Sequence, residues 1–504
     1  GGAVNVSQRR PTQGFDSYVS SEIGDYNAFT AEGAVSGALG SDVLSGRLSF
    51  RSSQSDGYVK NLAPGGEDLQ DDDTIALRGQ LLFQPNDDLE ILVYGDVQEK
   101  ESNGSQIFTS SAVPGLLTPE EIDGGVFLAN EFEHEAYNPN DSLHEVDAWA
   151  SGAEISFTIG EVNVISISDY RESEMLQSYT LNQTTNLIPE PEVNTRNGEQ
   201  FSQEIRLSSN SSATVQWVAG AYYFNEEADQ TVDIIAGPYS AAANPLGAFP
   251  ITVVVDSGGA LKTKSYAVFG QLDAPLTDRL SGSVGLRYSR DEKELVEFTN
   301  FSVPPSTATS PLPEKSDTWG EYSGRVALQY NINDDSMLYA SVSKGFKSGG
   351  FNTGANQSTS YEPETVLAYE AGMKSQFWDG RAQTNVSTFF YDYSDLQLVQ
   401  IEGFASAVKN AAKAEVFGGE VASSFILTDH FTVHASVEYL SAEFKEFSSA
   451  DGRFLGLGIT TPVDLSGNSL ASAPEFSFRI GADYSQPISS SKTLDFGFDY
   501  YWQD

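Results

Sequence analysis

Apolar and polar residues alternate along most of the chain in runs of about ten, the pattern of β-strands whose two faces meet different surroundings. Leu280, Gly282, Val284, Leu286 and Tyr288 share one face of such a run, while Ser281, Ser283, Gly285, Arg287 and Ser289 share the other. Tyr322, Gly324, Val326, Leu328 and Tyr330 likewise oppose Ser323, Arg325, Ala327, Gln329 and Asn331. Phe476, Phe478, Ile480, Ala482 and Tyr484 oppose Ser477, Arg479, Gly481, Asp483 and Ser485. Charges keep to one face. A soluble β-sandwich also alternates, so the connections have to decide. Short turns built from Asp, Asn, Gly or Pro recur at 85–88, 275–278, 331–335, 378–380 and 428–430. Between them come long polar stretches at 102–143, 172–197, 226–261, 292–316 and 443–472, read as loops. Regular exchange of short turn and long loop sends all the turns to one rim and all the loops to the other. Outer-membrane barrels have this asymmetry.

Counting alternating segments predicts about 19 strands, the last over 493–502. Bacterial barrels have an even number, so the natural chain is expected to continue past Asp504 to about 22. The fold class expected is therefore all-β, a large antiparallel transmembrane barrel. Aromatic clusters near strand ends, at Tyr222, Tyr223 and Phe224, at Phe389, Phe390, Tyr391 and Tyr393, and at Tyr500, Tyr501 and Trp502, are expected to form interfacial girdles.

Composition supports a wet-cored wall. Only 39% of the 504 residues are hydrophobic, modest for one conventional core of this size. The longest apolar runs, such as 251–255, fall far short of the roughly 20 residues a membrane helix needs. With no cysteine, disulfide frameworks, thiolate zinc sites and cysteine nucleophiles are excluded together. A formal charge of −43 with only 28 Lys and Arg excludes nucleic acid as a partner. The chain opens on Gly1, Gly2 and Ala3 in place of a basic and apolar leader, so its N-terminus is expected to be incomplete.

The segment 338–352, LYASVSKGFKSGGFN, followed by 361–381, YEPETVLAYEAGMKSQFWDGR, resembles a stretch of TonB-dependent receptor barrels. Tyr339, Gly345, Phe346, Gly349, Gly350 and Phe351, then Pro363, Glu364, Glu370, Gly372 and Lys374, carry the resemblance. They read as architectural residues, a strand entering a Gly-rich turn and its descending partner. The opening GGAVNVSQRRPT resembles the end of that family's plug domain, which implies residues 1–12 as plug and 13–504 as barrel, with almost all of the plug absent. The resemblance implies an outer-membrane receptor for active uptake of a scarce large nutrient, most often a ferric siderophore, with oligosaccharide as the alternative. It also implies energy coupling through TonB, whose engaging segment lies upstream of this sequence. A passive porin or adhesin is the competitor from another class, and the plug-like opening argues against it.

No phosphate loop, nucleophile elbow or zinc-binding helix motif occurs, so an enzyme is not expected and no cofactor is required. Of the four histidines, His134, His144, His430 and His434, only the last two are close, and their spacing of roughly 13 Å along a strand is too wide for one metal. A surface role is expected for them. Asp71, Asp72 and Asp73, in one acidic run with Glu67 and Asp68, offer carboxylates of the kind that bind Ca²⁺, against the plainer expectation of solvated charge. Glu131, Glu133, Glu135, Asp141, Glu145 and Asp147 form a second cluster, and divalent ions would bridge both to lipopolysaccharide in the surrounding outer-membrane lipid.

Arg47, Arg78, Arg206, Arg287, Arg325 and Arg479 fall on the lumen face and are expected to pair with wall carboxylates such as Glu204 and Asp483. Phe108, Phe127, Phe132, Tyr137, Tyr239 and Phe249 in the long loops are candidates for stacking on a small-molecule chelate or a sugar. Acidic loops favour neutral or cationic cargo over multiply charged anions. A surface lipoprotein partner is compatible with the sequence and not required by it.

Overall fold

A computed structural model describes residues 7–104, 134–136, 138, 142–180, 191–236, 253–303, 306–352, 359–402, 405–450, 461–489 and 492–504. Its first elements are β1 (Asp16–Ile23), β2 (Phe29–Ser41), β3 (Leu44–Ser55), β4 (Lys60–Asn61), β5 (Asp72–Asn86), β6 (Leu89–Ser102), β7 (Glu135–Ala136) and β8 (Leu143–Ile159). Next come β9 (Val162–Thr180), β10 (Pro191–Ser209), β11 (Gln216–Ala236), β12 (Val253–Pro275), β13 (Leu280–Val303), β14 (Ser306–Pro311), β15 (Lys315–Asn333) and β16 (Ser336–Lys347). The last are β17 (Gly350–Phe351), β18 (Ser360–Tyr361), β19 (Glu364–Phe377), β20 (Ala382–Glu402), β21 (Ala405–Thr428), β22 (Phe431–Ala450), β23 (Pro462–Asp464), β24 (Phe476–Ser489) and β25 (Lys492–Gln503).

One antiparallel sheet takes in 21 of these strands, and all but the short β14 and β23 run the height of the wall, which leaves the 19 that alternation predicts. Each wall strand pairs with its sequence neighbours, as an up-and-down meander does. β1 pairs only with β2 and β25 only with β24 among the described residues. No described helix is long and apolar enough to cross a membrane, which says nothing against crossing by strands.

The short turns lie where their chemistry requires. Asn86 Oδ1 accepts from the amides of Asp88 and Leu89 at 3.0 Å each, and Thr277 Oγ1 accepts from Leu280 N at 3.0 Å. Trp378, Asp379 and Gly380 all take positive φ, which ties off the turn between β19 and β20. At the loop rim the strands run further than the sequence predicts. β9 to β13 and β22 continue their ladders into the stretches read as loops at 172–197, 226–261, 292–316 and 443–472. Charged and polar residues fall on both faces there, so alternation of hydrophobicity fades while antiparallel pairing persists.

Side chains sort by parity along each strand. Val284, Leu286, Val326 and Leu328 stand exposed on the outer face, 48–59% accessible, as a wall bathed in hydrocarbon requires and a soluble protein does not tolerate over such an area. An outer aromatic row crosses the middle strands. Trp149 meets Tyr170 at 5.2 Å between centroids, Tyr223 meets Phe201 at 6.4 Å and Tyr266 at 5.3 Å, and Tyr288 meets Tyr322 at 4.8 Å. The predicted clusters split between the faces. Tyr223 and Phe390 join the outside, whereas Tyr222 lies under the Arg287 guanidinium, and Phe389 stacks on Tyr391 at 4.9 Å.

Candidate functional site

The inner face carries a series of ion pairs. Near the turn rim the N-terminal segment is fastened to it: Arg10 pairs with Glu90 and Glu154, and Thr12 N donates to Ser36 Oγ at 2.8 Å. Arg47 pairs with Asp16 at 3.6 Å, Arg78 with Asp96, and Arg206 with Glu204. Tyr94, beneath the Arg78 guanidinium at 4.5 Å, donates to Asp169 at 2.8 Å. Such pairing is what the sequence predicts for these arginines.

Three details differ. Arg479 takes Asp499 at 2.8 Å in place of Asp483, and Asp483 sits 3.5 Å from His434. His434, expected at the surface, is thus a lumen residue held between Asp483 and Asp499, the latter at 3.0 Å. Gly481 permits this, because a Cβ there would lie 2.1 Å from His434 Nε2. Arg287 and Arg325 make no ion pair among the described residues. Arg287 lies over Tyr222 and Phe269, 5.6 and 5.7 Å from the ring centres, and Arg325 donates to Ser341 Oγ at 3.3 Å.

The family-motif residues separate into two groups. Low on the wall, Tyr339 donates to Glu370 at 2.7 Å, and the Lys374 ammonium lies 5.8 Å from the Tyr339 ring centre. Gly372 is bare because a Cβ would stand 2.6 Å from that ring. At the loop rim, residues 348–352 and 359–363 between β16 and β19 lie as a strap against the inner wall, with β17 paired to β18. The ring of Phe351 packs at 5.7 Å on Trp319 in a cluster with Leu295, and Leu261 closes its edge. Trp319 Nε1 donates to Glu362 at 3.2 Å, and Lys293 Nζ donates to the Gly349 carbonyl at 2.7 Å.

Lys293 lies beyond the outer aromatic row, and burial lowers its pKa below the ordinary lysine value against the opposing pull of Asp291 and Glu226. On the strap's other side, Gln397 Nε2 donates to the carbonyls of Ser348 and Glu362, both at 3.0 Å. The Gln397 amide also donates to Glu364 at 2.8 Å. Asn410 exchanges two hydrogen bonds with the Glu362 backbone, both 2.7 Å, and Asn352 does the same with Val408. Gly345 faces Val366, while Phe346 and Pro363 are half-buried.

Phe108, Phe127, Phe132, Tyr137, Tyr239 and Phe249 lie outside the described residues. Asp71, Asp72 and Asp73 do not converge. Asp71 accepts from the Asn103 amide, Asp72 takes Thr74 at 2.8 Å and Lys100 at 3.8 Å, and Asp73 alternates to the opposite face of β5. No group of three metal-ligating side chains is arranged around an ion among the described residues. The residues that hold the strap at the loop rim, Lys293, Leu295, Trp319, Gln397 and Asn410, are not marked out by the sequence. They stand at unremarkable places in alternating strands, and only the inward fold of the strap gives them a common role.

A meander of 19 wall strands, outward-facing apolar side chains, an aromatic row and a charged inner face together define an outer-membrane β-barrel protein. The chain belongs to the TonB-dependent receptor family, whose β-barrel domain matches residues 7–504. The pesticin receptor of Yersinia pestis is 21% identical over 455 residues, which are 89% of this chain and 61% of that protein. This chain thus spans less than two thirds of that relative. The ferric yersiniabactin uptake receptor of Yersinia pestis superposes with a TM-score of 0.74 at 16% identity, over 97% of this chain and 68% of that one. A copper transporter superposes with a TM-score of 0.65 at 13% identity, over 98% of this chain and 72% of that one. At such identities the likeness is one of fold, and the fold alone does not choose a cargo.

Proposed function

We propose that this barrel belongs to a receptor that takes up a ferric siderophore across the outer membrane, driven by the TonB complex. The loop rim carries the proposal: a strap is fastened to the inner wall there, with Phe351 buried on Trp319 and the Gly349 carbonyl held by Lys293. The name of the ferric yersiniabactin uptake receptor supports iron as cargo. Residues 1–12 are then the end of a plug, in keeping with the grip of Ser36, Glu90 and Glu154 on Arg10 and Thr12. The activity is transport, and no step of it asks for a covalent catalyst.

Contact with lipopolysaccharide through divalent cations is part of the same proposal. Outside the Trp149–Tyr170 row, β6, β8 and β9 set Glu99, Asp147 and Glu174 directly opposite one another, and Asp73, Glu101 and Glu145 repeat the pattern. Like charges in register repel, so such rows call for cations.

Iron-limited cells lacking the gene are expected to lose uptake of a radiolabelled ferric siderophore and to regain it with the full natural chain, provided the proton gradient is intact. Uptake that survives collapse of the gradient indicates passive passage and defeats the proposal. Restored growth on an oligosaccharide with no gain in iron uptake moves the cargo to carbohydrate.

A further inference from the structure

On the outer face of β10 to β13, the aromatic row stands over a groove of about 490 Å³. The groove follows from side-chain size. Ala221 lies between the larger Ile205 and Val268 in one cross-strand row, with Tyr288 at its far end. In the next row toward the turns, Ala219 and Gly270 lie between Leu207 and Leu286. Tyr223 and Tyr266, their rings 5.3 Å apart, close the end nearer the loops. The depression thus runs down the lipid-facing wall from the aromatic row.

Two cations stand at its upper end. Arg290 lines the groove beside Tyr266, and its Nε and Nη2 both donate to Glu292 Oε1, at 3.1 and 2.9 Å. That grip leaves the Nη1 side of the guanidinium with no described acceptor. Lys264 faces Glu292 across the β12–β13 ladder and so stands diagonal to Arg290. It is exposed and makes no hydrogen bond, ion pair or ring contact with any described residue. The next cation up β12, Lys262, is held by Glu227 at 3.1 Å, and Glu294 lies in that same row, further from the groove.

We propose that this groove holds one acyl chain of a lipopolysaccharide molecule of the outer leaflet, with a lipid A phosphate between Arg290 and Lys264 and no divalent ion between them. An aromatic row marks the level at which headgroups meet hydrocarbon, so a chain below Tyr266 places its phosphate beside these two residues. A guanidinium forks onto phosphate oxygens, and basic side chains at a membrane surface draw anionic headgroups. A zwitterionic lipid would bring an ammonium against both cations. A second copy in two-fold contact would set Arg290 and Lys264 against themselves. The inference rests on the outer-membrane placement of the barrel and not on its cargo. It is separate from the ion-bridged contact of β5 to β9, which a chelator dissolves.

The test is native mass spectrometry of the full natural chain in detergent and excess chelator, titrated with bisphosphorylated lipid A, phosphate-free lipid A and phosphatidylethanolamine. The first is expected to be retained about fivefold or more over the other two. The double variant Arg290→Gln, Lys264→Gln should weaken it by about tenfold or more. Ala221→Leu, which fills the groove and leaves the charges, should weaken it as well. Glu292→Gln should strengthen it, because a competing carboxylate is gone. If Arg290 served only to pair with Glu292, Arg290→Gln and Glu292→Gln would act alike, and that result overturns the site. So does equal retention of phosphatidylethanolamine, which is ordinary solvation by lipid, or loss of all lipid A in chelator, which leaves the ion-bridged contact alone. Each variant is checked for the heat-resistant barrel form on gels.

Discussion

At Gly349 a Cβ would lie 2.5 Å from Trp319 Nε1 and 2.6 Å from the Tyr361 carbonyl oxygen, two groups that the strap needs where they are. At Gly79, on the outer face, nothing stands within 4 Å of the same position. Gly349→Ala should therefore destabilise the barrel by about 1–3 kcal/mol, as overpacking does, while Gly79→Ala should stay within about 0.5 kcal/mol of the natural chain. Urea unfolding in lipid vesicles measures both, and equal effects would show that the strap is not packed as described. The family motif marks Gly349 in the sequence. What excludes a side chain there is not legible, because Trp319 and Tyr361 reach it from separate parts of the chain.

The strap between β16 and β19 is held by side chains of four other strands, so its rigidity is a property of the element and of no single contact. Asn410 bonds both Glu362 N and Glu362 O at 2.7 Å and ties them to the Asp395 carbonyl of β20 at 2.9 Å. Its replacement by Ala leaves three backbone groups without that partner, at roughly 1–3 kcal/mol for each one that water does not reach. Asn410→Ala should speed proteolytic cleavage between 348 and 363 in intact barrels, with the strands below unaffected. Cleavage unchanged from the natural chain would mean that Gln397 and Asn352 suffice. Element boundaries show the same limit on sequence reading. The turns after β5, β12, β15, β19 and β21 were legible because Asn, Asp, Thr, Gly and Pro act locally, whereas the far ends of β9 to β13 depend on pairing partners.

For the whole molecule, the outward acidic rows of β5 to β9 set a condition on its surroundings. If divalent ions join them to lipopolysaccharide, chelation should lower barrel stability in lipopolysaccharide-containing membranes, by roughly 0.2–1 kcal/mol for each like-charged pair exposed. Magnesium should restore it, and the double variant Glu99→Gln, Asp147→Asn should remove most of the dependence. A thermal scan that chelator leaves unmoved would assign these carboxylates to simple solvation. The net charge of −43 repels anions at long range. Salt should therefore speed association of anionic probes.

The sequence by itself determined the class of wall: strand number, which residues face outward, and which rim carries the turns. These follow from a period of two and from turn chemistry, both local properties of the backbone. Tertiary structure decided the rest. It chose Asp499 over Asp483 for Arg479, divided the aromatic clusters between lipid and lumen, and carried strands into polar stretches. Each of these depends on groups far apart in the chain meeting across the sheet or over the strap, and alternation along one strand holds no information about such meetings.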